Sequence, residues 1–162
     1  MRLIVLLLLL IPPAATAQQK IHGFFANGKA GIGNWADDAS LGVAFEGGFL
    51  QQKNMYAISA LRAEEIDSRE VIHALDLSYG RFIQRKRFVF HYQAGLGVVW
   101  GKNESGKDEA FTTVGLPLKA GIKFVPANFF SIGIDFQANI NSEQSLYLAM
   151  FTFGIWPQPV NN

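Results

Sequence analysis

Residues 87–101 read RFVFHYQAGLGVVWG, and their alternation decides the fold. Even positions carry Phe88, Phe90, Tyr92, Ala94, Leu96, Val98 and Trp100; odd positions include His91, Gln93, Gly95 and Gly97, with Val89 and Val99 as exceptions. Side chains that change character at every second residue describe a strand with one apolar face. The same period continues downstream. Residues 111–124 set Val114, Leu116, Leu118, Ala120, Ile122 and Phe124 against Thr113, Gly115, Pro117, Lys119, Gly121 and Lys123. Residues 129–139 set Phe130, Ile132, Ile134 and Phe136 against Ser131, Gly133, Asp135 and Gln137, and residues 146–156 place Tyr147, Ala149, Phe151, Phe153 and Ile155 on one face.

Upstream, residues 21–34, 40–50, 55–63 and 70–82 repeat the pattern. The separators are short and rich in turn formers, among them Gln52-Lys53-Asn54, Asp67-Ser68, Arg85-Lys86, Pro126-Ala127-Asn128 and Asn141-Ser142. Eight strands with short links predict an all-β fold, an eight-stranded antiparallel up-and-down barrel.

The first residues stand apart. Arg2 precedes an unbroken apolar run at 3–11, Pro12-Pro13 ends it, and Ala15-Thr16-Ala17 supplies small residues at a cleavage site. This is a secretory signal peptide, residues 1–17. Nine apolar residues are too few to span roughly 30 Å of hydrocarbon as a helix. Removing the signal leaves a single domain, 18–162.

Composition narrows the function classes. The chain of 162 residues is 49% apolar and 13% aromatic, only 17% charged, and has no Cys. Thiol catalysis, disulfides and Cys-ligated zinc are excluded. A formal charge of +1 offers no electrostatic footprint for nucleic acid. The three histidines, His22, His73 and His91, lack a spaced partner for a metal site or a nucleophile, so no metal, no cofactor and no enzymatic activity are expected.

A period of two does not say which face points outward. In a soluble lipocalin-like barrel the bulky face would surround a ligand; in a transmembrane barrel it meets lipid. The other face is rich in Gly, Ser, Thr, Asn and Gln with isolated charges, far from the roughly 25–35% charge of a water-facing surface. Small and polar groups suit a narrow eight-strand lumen. The sequence therefore predicts a transmembrane barrel, with Lys29, Glu46, Asp76, His91, Lys119, Lys123 and Asp135 as a polar network in the lumen. Burial requires such charges to pair. A plugged interior is the favoured reading, and a narrow pore for small polar or amphipathic solutes is the alternative. With the N-terminus on the periplasmic side, aromatic girdles are expected from Phe88, Phe124, Phe130 and Trp156 at one rim, and from Trp35, Trp100, Phe111 and Tyr147 at the other. Phe24, Phe49, Tyr56, Tyr79 and Phe82 join the periplasmic group. Ten acids, Asp37, Asp38, Glu64, Glu65, Asp67, Glu70, Glu104, Asp108, Glu109 and Glu143, fall in the outer connections, read as a solvated surface; Arg81, Arg85, Lys86 and Arg87 cluster at a periplasmic turn.

The signal peptide, the strand at 114–124 with its inward Pro117, and the final alternating strand ending at Trp156 together resemble the small outer-membrane β-barrel proteins of Gram-negative bacteria, the porin-like OmpX/OmpA-barrel group. The resemblance implies an outer-membrane location and contact with outer-membrane lipid and lipopolysaccharide. It also implies insertion by the barrel-assembly machinery, which reads a last strand with a terminal aromatic; here Pro157 to Asn162 follow that aromatic. The role it implies is structural or one of interaction.

Overall fold

The computed structural model describes residues 21–35, 38–67, 70–103, 109–126, 129–143 and 145–157. The expected signal peptide, and Asp37, Glu104 and Asp108 of the acidic connections, lie outside them. Eight strands follow one another: β1 Ile21–Trp35, β2 Asp38–Gln52, β3 Asn54–Glu65, β4 Val71–Arg85, β5 Phe88–Asn103, β6 Glu109–Phe124, β7 Phe130–Asn141 and β8 Leu146–Ile155. Each pairs antiparallel with its neighbours in sequence, and β1 pairs with β8 from Ala26↔Ile155 to Trp35↔Leu146, which closes the barrel. Closure leaves no free sheet edge. The shortest strand, β8, has 10 residues, enough to cross a bilayer at a tilt.

Local chemistry sets the turns. Gln51 pairs with Asn54 and Arg85 with Phe88, so each hairpin turns on two residues. Gln52 and Lys86 take positive φ values of 59° and 53°, the left-handed backbone that tight hairpins matched to strand twist require. Pro117 leaves its mark on the ladder. The β5–β6 pairing runs from Phe88↔Phe124 to Ala94↔Leu118 and resumes at Gly97↔Gly115. The gap lies opposite Pro117, which has no N–H to donate.

The alternation sorts the side chains as their chemistry requires. Phe45, Leu77, Leu96, Val114 and Phe136 point outward and are exposed, Phe24 to 82%. An apolar surface this extensive is foreign to a soluble monomer and suits hydrocarbon. The inverted arrangement is not the one adopted: Phe90, Leu116 and Ile134, which would line a lipocalin-like cavity, are all on the outside.

Near the end of the barrel where β1 starts, the outward aromatics form a cross-strand row. Phe24 is opposite Phe49, Phe49 opposite Tyr56, and Tyr56 opposite Tyr79. Phe49 and Tyr56 stack at 4.7 Å between ring centroids, Tyr56 and Tyr79 lie 5.3 Å apart, and Phe88 and Phe124 also 5.3 Å apart. Such pairs add to sheet stability beyond the area that they cover.

Inward glycines allow strands to approach across this tightly curved wall. At Gly95 a Cβ would collide with the backbone carbonyl of Leu77 and with Cα of Ser78. Gly95→Val is expected to lower the folded fraction sharply, by about 2 kcal/mol or more. Ala94→Val, one residue away on the lipid face, should leave folding intact. Heat-dependent gel mobility after refolding measures both.

Candidate functional site: the barrel interior

All eight strands send polar side chains into the middle of the lumen, β8 through Thr152. Lys29 comes from β1, Glu46 from β2, Ser59 from β3, Asp76 and Ser78 from β4, His91 and Gln93 from β5, Lys119 and Lys123 from β6, and Asp135, Gln137 and Asn139 from β7; all are buried. The registers align them across the wall. Asn27 lies opposite Glu46, Ser59 opposite Asp76, Gln93 opposite Lys119, and Gly121 opposite Asp135.

The charges pair in sequence across the bore. His91 Nε2 lies 3.0 Å from Asp135 Oδ1, and Lys29 Nζ lies 2.8 Å from Asp135 Oδ2. Lys29 Nζ donates to Glu46 Oε2 at 3.0 Å, and Lys119 Nζ to the same oxygen at 3.2 Å. Lys119 Nζ reaches Asp76 Oδ2 at 3.8 Å and also donates to Ser59 Oγ. Around this chain Ser59 Oγ donates to Asp76 at 3.2 Å, Gln93 Nε2 to Glu46 Oε1 at 3.4 Å, and Ser78 Oγ to Gln93 Oε1 at 2.7 Å. Lys29, Lys119 and Lys123 balance Glu46, Asp76 and Asp135 when His91 is neutral. Mutual compensation is what allows charges to be withdrawn from water.

Lys123 differs from the other two lysines. Its Nζ makes no hydrogen bond among the described residues. It sits 5.3 Å from the Trp156 ring centroid and 6.0 Å from that of Phe25, within cation–π range.

Apolar clusters stand above and below the polar layer. Towards the end where β1 finishes are Trp35, Ile72, Val99, Leu146, Leu148 and Met150, with Phe111 packed against them. Towards the end where β1 starts are Phe25, Leu50, Met55, Phe82, Val89, Val125 and Trp156. The girdle assignment is corrected here. Trp35 and Trp156 are 1% and 0% exposed, and both point inward, as does Phe82; Phe111 packs on the inner cluster. Each has the inward parity of its strand, and filling the ends of the bore outweighs the preference of aromatic rings for headgroups. Phe88, Trp100, Phe130 and Tyr147 are exposed on the outer wall. Phe124 shares that wall against Phe88.

Sequence reading missed the two clusters and the neutral partners Ser59, Ser78, Gln93 and Asn139. The clusters had a signal in Val89 and Val99, the two interruptions of an otherwise polar face; one lies in each cluster. Among the described residues no group of His, Asp and Glu is arranged to hold a metal ion.

The pairing pattern predicts unequal costs. Asp135→Asn takes the shared carboxylate from His91 and from Lys29, which keeps Glu46, and should destabilise the barrel by about 3–5 kcal/mol, the usual cost of removing one partner of a buried ion pair. Lys123→Met removes an ammonium with no hydrogen bond and should be neutral or stabilising. Urea unfolding in detergent micelles, followed by tryptophan emission, compares the two.

No protein-family model matches the sequence, and no curated protein is similar to it at a significant level. Solved structures are similar in fold. Neisserial surface protein A shares 11% identity at a TM-score of 0.67, over 82% of this chain and 97% of that one. The N-terminal β-barrel domain of Pseudomonas aeruginosa OprF shares 15% identity at 0.61, over 83% and 98%. The outer-membrane enzyme PagL shares 12% at 0.56, over 80% and 99%. A surface protein and an enzyme on one scaffold show that the fold does not choose an activity. The chain has the fold of the small eight-stranded outer-membrane β-barrels.

Proposed function

We propose that this chain is an outer-membrane β-barrel protein of a Gram-negative bacterium, exported by a cleaved N-terminal signal, with a structural or interaction role and a lumen closed to solutes. The observation that carries the reading is the interior: a compensated chain of ion pairs across the bore with an apolar cluster on each side of it. A conducting pore keeps water and free polar groups along its axis. Here paired charges and the two apolar clusters occupy the axis, although some buried polar atoms, among them those of the Asn27 amide and Lys123 Nζ, have no hydrogen-bond partner among the described residues. The apolar outer wall and the neighbouring folds support the location. Lipid and lipopolysaccharide are then the surrounding medium, and the barrel-assembly machinery the route of insertion.

The reading leaves catalysis without a role. His91, the histidine within the lumen, is buried against Asp135 between the two clusters, with no approach for a substrate. Interaction would then occur at the short outer connections or on the lipid-facing wall.

Planar-bilayer recording of the purified, refolded chain tests this directly. The expected result is no stable conductance level above the bare bilayer, at any polarity. Discrete, reproducible open levels in the folded protein would contradict the closed lumen and favour the narrow-pore alternative.

A further inference from the structure

In the outer half of the lipid-facing wall, polar side chains gather on β3 and β4. Arg62 on β3 points outward with its side chain 54% exposed. It is directly opposite His73 on β4, which is opposite Trp100 on β5, which is opposite Thr112 on β6. The row beneath is entirely apolar: Phe45, Ala60, Leu75, Val98 and Val114 in register. Four adjacent strands thus change from hydrocarbon-compatible to polar side chains at one height. That height marks the outer-leaflet interface. An arginine at the midplane of a barrel wall costs about 2–4 kcal/mol, but about 0–1 near the interface.

The polar side chains are arranged rather than scattered. The His73 and Trp100 rings stack, 5.6 Å between centroids and 19° between planes. Arg62 Nη2 is engaged by Glu64 Oε2 at 2.9 Å; a guanidinium has five N–H donors, so others remain for a ligand. Beside it a depression of about 330 Å³ is walled by Leu41, Val43 and Ile66, with Arg62, Glu64 and Glu65 along its edge. Among the described side chains of the outer half of this wall, Arg62 is the one lysine or arginine.

We propose that Arg62, His73 and Trp100 form a binding site on the outer wall for a phosphorylated glycolipid of the outer leaflet, of lipid A chemistry. This rests on the outer-membrane reading. Arg62 supplies fork-shaped donors for a phosphate. The stacked His73–Trp100 pair presents an amphipathic plate against which an adjoining sugar ring packs. Val43, opposite Arg62, and Phe45 below it meet the start of an acyl chain. Arg62 stands between the His73–Trp100 plate on β4 and β5 and the apolar side chains of β2, so a phosphate held there is flanked by the surfaces that would take the sugar and the acyl chain. A phosphodiester lipid offers the charge without the sugar, so the plate would gain nothing from it.

Native mass spectrometry of the full mature chain, folded in a zwitterionic detergent, tests the site with three probes: lipid A, fully dephosphorylated lipid A and phosphatidylglycerol. The wild type is expected to retain lipid A at least about tenfold better than either other probe, the worth of one charge-assisted contact. Arg62→Gln should abolish the preference over the dephosphorylated form, and Arg62→Lys should restore part of it. Trp100→Leu should weaken lipid A without changing phosphatidylglycerol, and Arg85→Gln at the other rim should change nothing. Heat-dependent mobility confirms folding of each variant. Equal binding of lipid A by wild type and Arg62→Gln overturns the site, as does equal retention of phosphatidylglycerol and lipid A by the wild type. Fractionation separates the two levels: a chain recovered in the outer membrane without this preference loses only the site, whereas recovery in the soluble periplasm removes the location and the site with it.

Discussion

Hydrocarbon offers no water to an unpaired backbone N–H or C=O, and this governs everything else in the molecule. Strands can cross a bilayer only if every edge is paired, so β1 must meet β8. With eight strands the bore is narrow enough that its contents must be side chains. Two demands then act on the same sequence. The outer wall must be apolar at every second position, and the inner wall must fill a fixed volume without leaving charges alone. Gly95 and the other inward glycines serve the second demand, because a Cβ there would strike the neighbouring strand.

The interior answers with a layered arrangement. Lys29 bridges Glu46 and Asp135, Lys119 bridges Glu46 and Asp76, and the hydroxyl and amide groups of Ser59, Ser78 and Gln93 occupy remaining lone pairs. Pairs so thoroughly buried add little net stability compared with a well-packed apolar core, yet they are costly to break singly. Their contribution is to fix which strands face each other, since a register slip by one residue would send Glu46 or Asp76 into lipid. The apolar clusters at the two ends keep water from the layer between them, which strengthens each pair electrostatically.

The strand count, the closure and the orientation of the two faces were all legible in the sequence, because a period of two imposes them on every segment. The inward set from Lys29 to Asp135 was legible for the same reason. Which of these charges meet was not: Glu46 and Lys119 belong to strands far apart in the chain, and their contact across the bore depends on stagger that no local pattern encodes. Trp35, Phe111 and Trp156 were assigned to the girdles from their position along the strands, although parity already set them opposite Ile32, Val114 and Ile155. The Arg62–His73–Trp100 row needed the registers, since three residues on three strands share a height only once pairing is known.

The central claim is the division between a lipid-facing and an inward-facing side chain set, and the three tryptophans report on it. Trp100 is exposed on the wall, whereas Trp35 and Trp156 are enclosed. Variants keeping one tryptophan each, the other two replaced by Phe, reconstituted in vesicles of brominated phospholipid, measure it by quenching of emission. The account predicts strong quenching of Trp100 and little of Trp35 or Trp156. Weak quenching of Trp100 together with strong quenching of the other two would contradict it.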